Sequence, residues 1–145
     1  MHVSKNSKSP PPSFFSTLRE KGLRPTKQRN CVFRVINEKQ DHPTADDIFV
    51  RVRRRLPTIS FATVYNCLET LVGCGLVKQV NIDREPARYC SNLNPHDHFK
   101  CIKTGKIFDL PLDDLVLSKI ASIVPRGFNA DHFDLSFSGT LTDLN

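Results

Sequence analysis

The sequence predicts an α+β protein, with an N-terminal winged helix-turn-helix domain followed by a small α/β dimerisation domain. Three observations carry this. The first half is a series of amphipathic helices separated by Gly and Pro. Residues 59–77 place a short helix with one apolar and one polar face directly ahead of a strand. Beyond Asn92-Leu93-Asn94-Pro95 the pattern changes to short strands around one further helix.

Taken in order, residues 1–12 are Lys-, Ser- and Pro-rich and predict a disordered tail. The winged-helix domain spans 13–90. Its first helix covers 13–21, stopped by Gly22. Arg24-Pro25-Thr26 introduces a second, over 26–39, with Val32, Phe33, Val35 and Ile36 inward. His42-Pro43 breaks the chain. Thr44 with Asp47 three residues on reads as a capping box for a third helix, whose apolar face carries Ile48, Phe49, Val52 and Leu56 and which Pro57 ends. Ser60 caps the fourth. Val64, Leu68, Leu71 and Val72 face inward, and Gly73 and Gly75 stop it. A hairpin follows, with strands over 76–82 and 87–90 about an Asp83-Arg84-Glu85-Pro86 turn.

Residues 91–95 form the expected hinge, and 96–145 the second domain. Strands are expected over 98–102 and 106–110 around Lys103-Thr104-Gly105. Asp113 or Asp114 opens a helix with Leu115, Val116, Lys119, Ile120 and Ile123 at helical spacing, stopped by Pro125. In a last strand Phe133, Leu135 and Phe137 share one face, and His132, Asp134 and Ser136 the other. So small a sheet, with an exposed edge, calls for a partner copy to bury its apolar faces.

The chain of 145 residues carries a net charge of +6. Its basic residues crowd the first half, as expected for a polyanion partner. The run Arg51, Arg53, Arg54 and Arg55 has two readings: phosphate contact, or a solvated helix end at the negative pole of its dipole. No stretch is apolar enough to cross a membrane and no signal peptide is present, so a cytoplasmic protein is expected. Five cysteines, an odd number, argue against a disulfide framework. Cys31, Cys67 and Cys74 read as small core residues.

The fourth helix leaves Thr63, Tyr65, Asn66 and Glu69 outward, which is what a winged helix-turn-helix presents to the DNA major groove. Tyr65 suits thymine methyls and Asn66 an adenine edge. Ser60 and Thr63 suit phosphates, helped by Arg24, Lys27 and Arg29. Ala62-Thr63-Val64-Tyr65-Asn66 followed by Gly75-Leu76-Val77 resembles the recognition helix of the Fur superfamily of bacterial metal-responsive repressors. Leu23-Arg24-Pro25-Thr26-Lys27-Gln28-Arg29 resembles that family's Leu-Arg-x-Thr-x-Gln-Arg signature. Asn66, where iron-sensing members commonly carry arginine, leans toward the peroxide-sensing, PerR-like branch. The resemblance covers nearly the whole chain after the tail. It implies a homodimeric repressor that binds a pseudo-palindromic double-stranded operator and is not an enzyme.

His96-Asp97-His98 puts two imidazoles on one side of a strand, a common way to offer a metal two nitrogens. His42, Cys90 and Asp109 are further candidates. The resemblance implies one regulatory divalent metal per subunit (iron, manganese or zinc) held by His42, Cys90, His96, His98 and Asp109. In the peroxide-sensing branch the metal is iron(II), and the oxidant that peroxide forms there attacks a ligand histidine, here His42 or His96. Cys90 departs from the family's acid. A thiolate favours zinc, cobalt or copper(I) over iron(II), and it is itself oxidisable. Three readings follow: Cys90 ligates, or it leaves a site of His42, His96, His98 and Asp109, or it is a thiol redox sensor. A small half-buried residue at a strand end is the fourth.

Most family members also hold a structural zinc in two Cys-x-x-Cys pairs. Here those places are Cys101, Thr104, Leu141 and Leu144, so no structural zinc is expected, and the two leucines are expected to pack against the last strand. The alternatives to a metal-dependent repressor are a thiol regulator acting through Cys90 alone and a metal-dependent hydrolase.

Overall fold

Short polar caps start every helix of the computed structural model, which describes residues 13–82 and 84–142. The tail expected over 1–12, Asp83 of the turn and Leu144 lie outside the described residues. The chain divides into two compact units, one ending at Leu93 and the other beginning at Asn94.

The first unit contains helices α1 (Phe14–Glu20), α2 (Lys27–Glu38), α3 (Ala45–Arg53) and α4 (Phe61–Gly73), then strands β1 (Lys78–Val80) and β2 (Arg88–Cys90). Ser13, Thr26, Thr44 and Ser60 each accept a hydrogen bond from the amide three residues on. Thr44 completes a capping box, since the Asp47 carboxylate accepts from the Thr44 amide at 3.1 Å. Such caps stabilise a helix by about 1 kcal/mol each. Two helices end the same way. Gly22 (φ 70) follows α1 and Gly75 (φ 73) follows α4. Leu23 N–H donates to the Leu18 carbonyl and Leu76 N–H to the Leu71 carbonyl, the six-residue closure that a left-handed glycine permits.

The inward faces of α1–α4 meet in one core, in which Leu18, Ile36, Ile48, Leu68, Leu71 and Leu76 are fully buried. Burying side chains of this size is worth about 1.5–3 kcal/mol each. Phe33 is half-buried and stacks on Phe14. Cys67 is buried, and Cys31 and Cys74 pack half-buried against the same core. Burial raises the Cys31 and Cys67 thiols, which keeps them protonated near neutrality.

Two boundaries here differ from expectation. The third helix ends at Arg53, four residues before Pro57. Strand β1 is three residues long, although 76–82 was expected. The Leu76 amide closes the end of α4, and Leu76 and Val77 are buried in the helical core, so neither extends the ladder. Strands β1 and β2 pair antiparallel, with Val80 opposite Arg88.

The second unit contains β3 (His96–Cys101), β4 (Ile107–Pro111), helix α5 (Asp114–Ser122) and β5 (Ser136–Gly139). The sheet order is β4-β3-β5, with β4 antiparallel and β5 parallel to β3. Asp113 caps α5 through the Val116 amide at 2.8 Å. Strand β3 begins at His96 rather than at 98, so both histidines of the His-x-His pair belong to it.

The last strand begins at Ser136, not at 132. The Leu135 amide donates to the Asp97 carboxylate at 3.0 Å, and His132 and Phe133 are exposed. Leu141 is 87% exposed, which corrects its expected packing against that strand. The regularly spaced face of α5 buries none of its residues in this unit. No helix among the described residues is long and apolar enough to cross a membrane.

Candidate metal centre and nucleic-acid face

In the first unit, helix α4 presents its polar face as the spacing requires. Asn66 is exposed and Tyr65 is 43% exposed. The Ser60 hydroxyl accepts from the Thr63 amide at 3.1 Å, and the two hydroxyls lie 2.8 Å apart. Arg24, Arg29, Thr63 and Asn66 line one open cleft of about 450 Å³ between the α1–α2 connection and α4. Within it Arg29 donates to the Arg24 carbonyl at 2.7 Å. Lys27 begins α2 but is not among the lining residues, and Tyr65 stands beside Phe61 instead.

The arginine run is mostly engaged within the unit. Arg51 forms a two-pronged pair with Asp41 at 2.9 and 2.6 Å. Arg55 pairs likewise with Glu38, its Nη1 donating at 2.9 Å, and Arg53 lies over the Phe49 ring. The guanidiniums hold both carboxyls below the usual carboxylate range. These contacts differ from both readings of the run, since Arg51, Arg53 and Arg55 are tied to groups of the same unit rather than left solvated.

His42 and Cys90 meet on one edge of this unit. An isolated bridge joins Thr44 to Arg88, and the Tyr89 amide donates to the Pro43 carbonyl at 2.9 Å, which continues the register to place His42 opposite Cys90. Their donor atoms lie within 4.8 Å of each other, and both residues are buried. His42 is the one described non-glycine residue with positive φ, at 52°. Arg88 donates to its carbonyl at 3.1 Å, and the neighbouring Asp41 is held by Arg51. The Cys90 sulfur accepts from the Asn92 amide at 3.4 Å. Reading the sequence alone missed Arg88, since nothing local marks a contact across 46 positions.

His96, His98 and Asp109 meet in the second unit. The register sets His98 opposite Asp109, with Nε2 to Oδ1 at 3.3 Å; His96 Nε2 lies 3.6 Å from the same oxygen. The two rings sit edge to face at 4.7 Å. His96 Nδ1 is 2.6 Å from the Asn94 carbonyl. A carbonyl only accepts, so Nδ1 donates and Nε2 is the ring nitrogen that faces Asp109. Two buried imidazoles directed at one carboxylate are donor chemistry suited to a divalent cation. In the same unit Cys101 is buried, and the Thr104 hydroxyl and nearby amides hold its thiol below the ordinary value.

A helical unit with an exposed polar-faced helix and a hairpin thus precedes a small sheet that carries a cluster of metal-donor side chains. The chain matches the Ferric uptake regulator family over residues 20–138 and belongs to that family. It is 37% identical to the peroxide-responsive repressor PerR of Staphylococcus epidermidis over 94 residues, which cover 65% of this chain and 63%, less than two thirds, of that protein. It is 35% identical to the peroxide operon regulator of Bacillus subtilis over 130 residues, 89% of each chain. Its fold is similar to that of the Ferric uptake regulator from Pseudomonas aeruginosa solved with manganese, at a TM-score of 0.73 and 26% identity over 89% of this chain and 98% of that one.

Proposed function

We propose that this protein is a homodimeric, metal-dependent transcription repressor of the cytoplasm. It binds a pseudo-palindromic DNA operator and responds to peroxide or to metal status. The observation that carries this reading is the division of the donors. His42 and Cys90 make a pair, and His96, His98 and Asp109 a trio. The pair alone is too few for zinc, manganese or iron(II), and the trio reaches the four-coordination usual for zinc only by adding water, whereas both sets together offer five protein donors. One divalent metal per subunit that draws on both sets, across the hinge at 91–95, satisfies its coordination and ties residues 13–90 to residues 96–145.

The chain's own groups define the rest. The Asn94 carbonyl orients His96, and Arg88 and Arg51 fix the segment of His42. On the DNA side, Tyr65 and Asn66 read base edges. Ser60, Thr63, Arg24, Lys27 and Arg29 hold phosphates. The exposed Phe108, Leu115 and Phe137 belong to a dimer face. When bound, the metal supplies positive charge and coordinate bonds whose strength depends on its identity, and the Cys90 thiolate biases the set toward zinc. A structural zinc is not proposed, since Cys101 is a single thiol where four are needed. The relatives are named as regulators and repressors, and the hydrolase alternative finds no support among them.

A second reading rests on Cys90, whose sulfur accepts a hydrogen bond from the Asn92 amide and is itself oxidisable. In it the thiol is the sensor and metal control is lost.

The test is elemental analysis of anaerobically purified protein, paired with DNA binding before and after peroxide. One metal per chain, with binding that salt weakens and Tyr65→Ala/Asn66→Ala removes while the dimer persists, is the expected result. An unchanged sequence preference in that variant refutes the DNA assignment. Metal-free protein whose peroxide response disappears in Cys90→Ser favours the second reading.

A further inference from the structure

Helices α3 and α4 carry an aromatic row whose members are 12 and 4 positions apart. Arg53 covers the Phe49 ring, its Cζ 5.4 Å from the centroid. Phe49 meets Phe61 edge to face, at 5.5 Å and 81°. Phe61 lies near-parallel to Tyr65, at 6.4 Å and 25°. One end of the row is anchored, because Phe49 packs against the core. The other end is open: Phe61 is 42% and Tyr65 43% exposed.

Phe61 begins α4 directly after the Ser60 cap. Capping does not require a ring there, and phenylalanine is a mediocre helix former. A half-exposed ring one turn before Tyr65 has a clear physical effect, however. Tyrosine presents a large rigid surface with two rotatable bonds, and a contact on its flank removes rotamers before any partner arrives. The Phe49 edge does the same to Phe61 in turn.

We propose that Phe61 is a positioning residue for base reading. It holds the Tyr65 ring, through the Arg53–Phe49–Phe61 row, in the orientation that meets thymine methyls. This rests on the DNA-binding reading above and adds to it the residue that sets Tyr65 selectivity. Phe61 need not touch a base for this role.

The test uses the full chain supplied with manganese(II) and a duplex that the wild-type protein selects from a random pool. Each thymine of that duplex is replaced in turn by deoxyuridine, which lacks only the methyl, and affinities are read by fluorescence anisotropy. The ratio of the two affinities within one variant does not depend on how much of that variant is folded. The wild type is expected to lose about fourfold at a methyl buried on Tyr65.

Phe61→Ala is expected to bring that ratio close to one, as Tyr65→Ala does. Phe61→Tyr, which keeps a ring in the row, is expected to retain it. The double variant Phe61→Ala/Tyr65→Ala is expected to match Tyr65→Ala alone. A wild-type ratio in Phe61→Ala overturns the proposal. So do losses that multiply in the double variant, since they indicate a separate contact by Phe61. If no duplex is selected, or binding is indifferent to salt, the DNA-binding reading itself has failed and the inference falls with it.

Discussion

At the scale of single residues, His42 is the donor whose backbone is most unusual. A non-glycine residue at positive φ holds a conformation costing on the order of 1 kcal/mol, and it persists when its surroundings over-determine it. Here the Arg88 guanidinium grips the His42 carbonyl, the Tyr89 amide grips the Pro43 carbonyl, and Arg51 fixes Asp41. Three contacts on consecutive residues leave the backbone that carries the imidazole little freedom. Arg88→Ala is therefore expected to weaken zinc(II) binding about 10- to 100-fold, the range seen when supporting groups of metal ligands are lost. Competition with a chromophoric chelator measures this, with a urea melt as control; unchanged affinity would remove Arg88 from the role. The donor set was readable only through the family resemblance, because a His-x-His pair alone is a weak signal and His42, Cys90 and Asp109 lie far from it in sequence. Arg88 was not, since its partner is distant in sequence and the contact is made to a backbone oxygen.

At the scale of elements, polar clamps fix where α3 joins the core. The Asp41–Arg51 pair ties the α2–α3 connection to α3 and is about a quarter to a third exposed. Arg51, by hydrogen bonding first and by its charge, holds the Asp41 carboxyl below its ordinary value. A depressed carboxylate stabilises the fold above its unfolded pKa, near 3.9, and that contribution is lost as pH falls through the folded value. Screening limits it to about 1 kcal/mol or less. In metal-free protein, Arg51→Ala is expected to lower the urea midpoint at pH 7 and to have a smaller effect near pH 3. Equal effects at both pH values would show that packing of the arginine stem, not the ion pair, is what matters. Helix starts were readable because Ser, Thr and Asp caps act within three residues. Strand lengths were not. The Leu76 amide closes a helix and the Leu135 amide bonds the Asp97 side chain, and neither commitment can be seen in an alternating pattern. The α5 spacing gave the helix but not its exposure, because periodicity identifies an apolar face without saying what covers it.

For the whole molecule, the consequence of divided donors is coupling. A pair on one unit and a trio on the other, if they serve one metal, make occupancy depend on both units at once. His42→Ala and His98→Ala change residues of different units, yet each is expected to weaken the same single equivalent. Two independent sites would instead leave one equivalent intact in each variant, which isothermal titration of the full chain distinguishes. Linkage then fixes a second quantity. If metal changes DNA affinity by some factor, DNA must change metal affinity by the same factor, commonly 5- to 150-fold in such systems. Measuring metal affinity with and without a bound duplex, and DNA affinity with and without metal, should give one number twice. In His42→Ala and in His98→Ala that number should fall toward one, because a metal held by one unit alone has no differential hold on the arrangement that DNA selects. Coupling retained in either variant would show that the metal acts from within a single unit, and the shared-site reading would have to be abandoned.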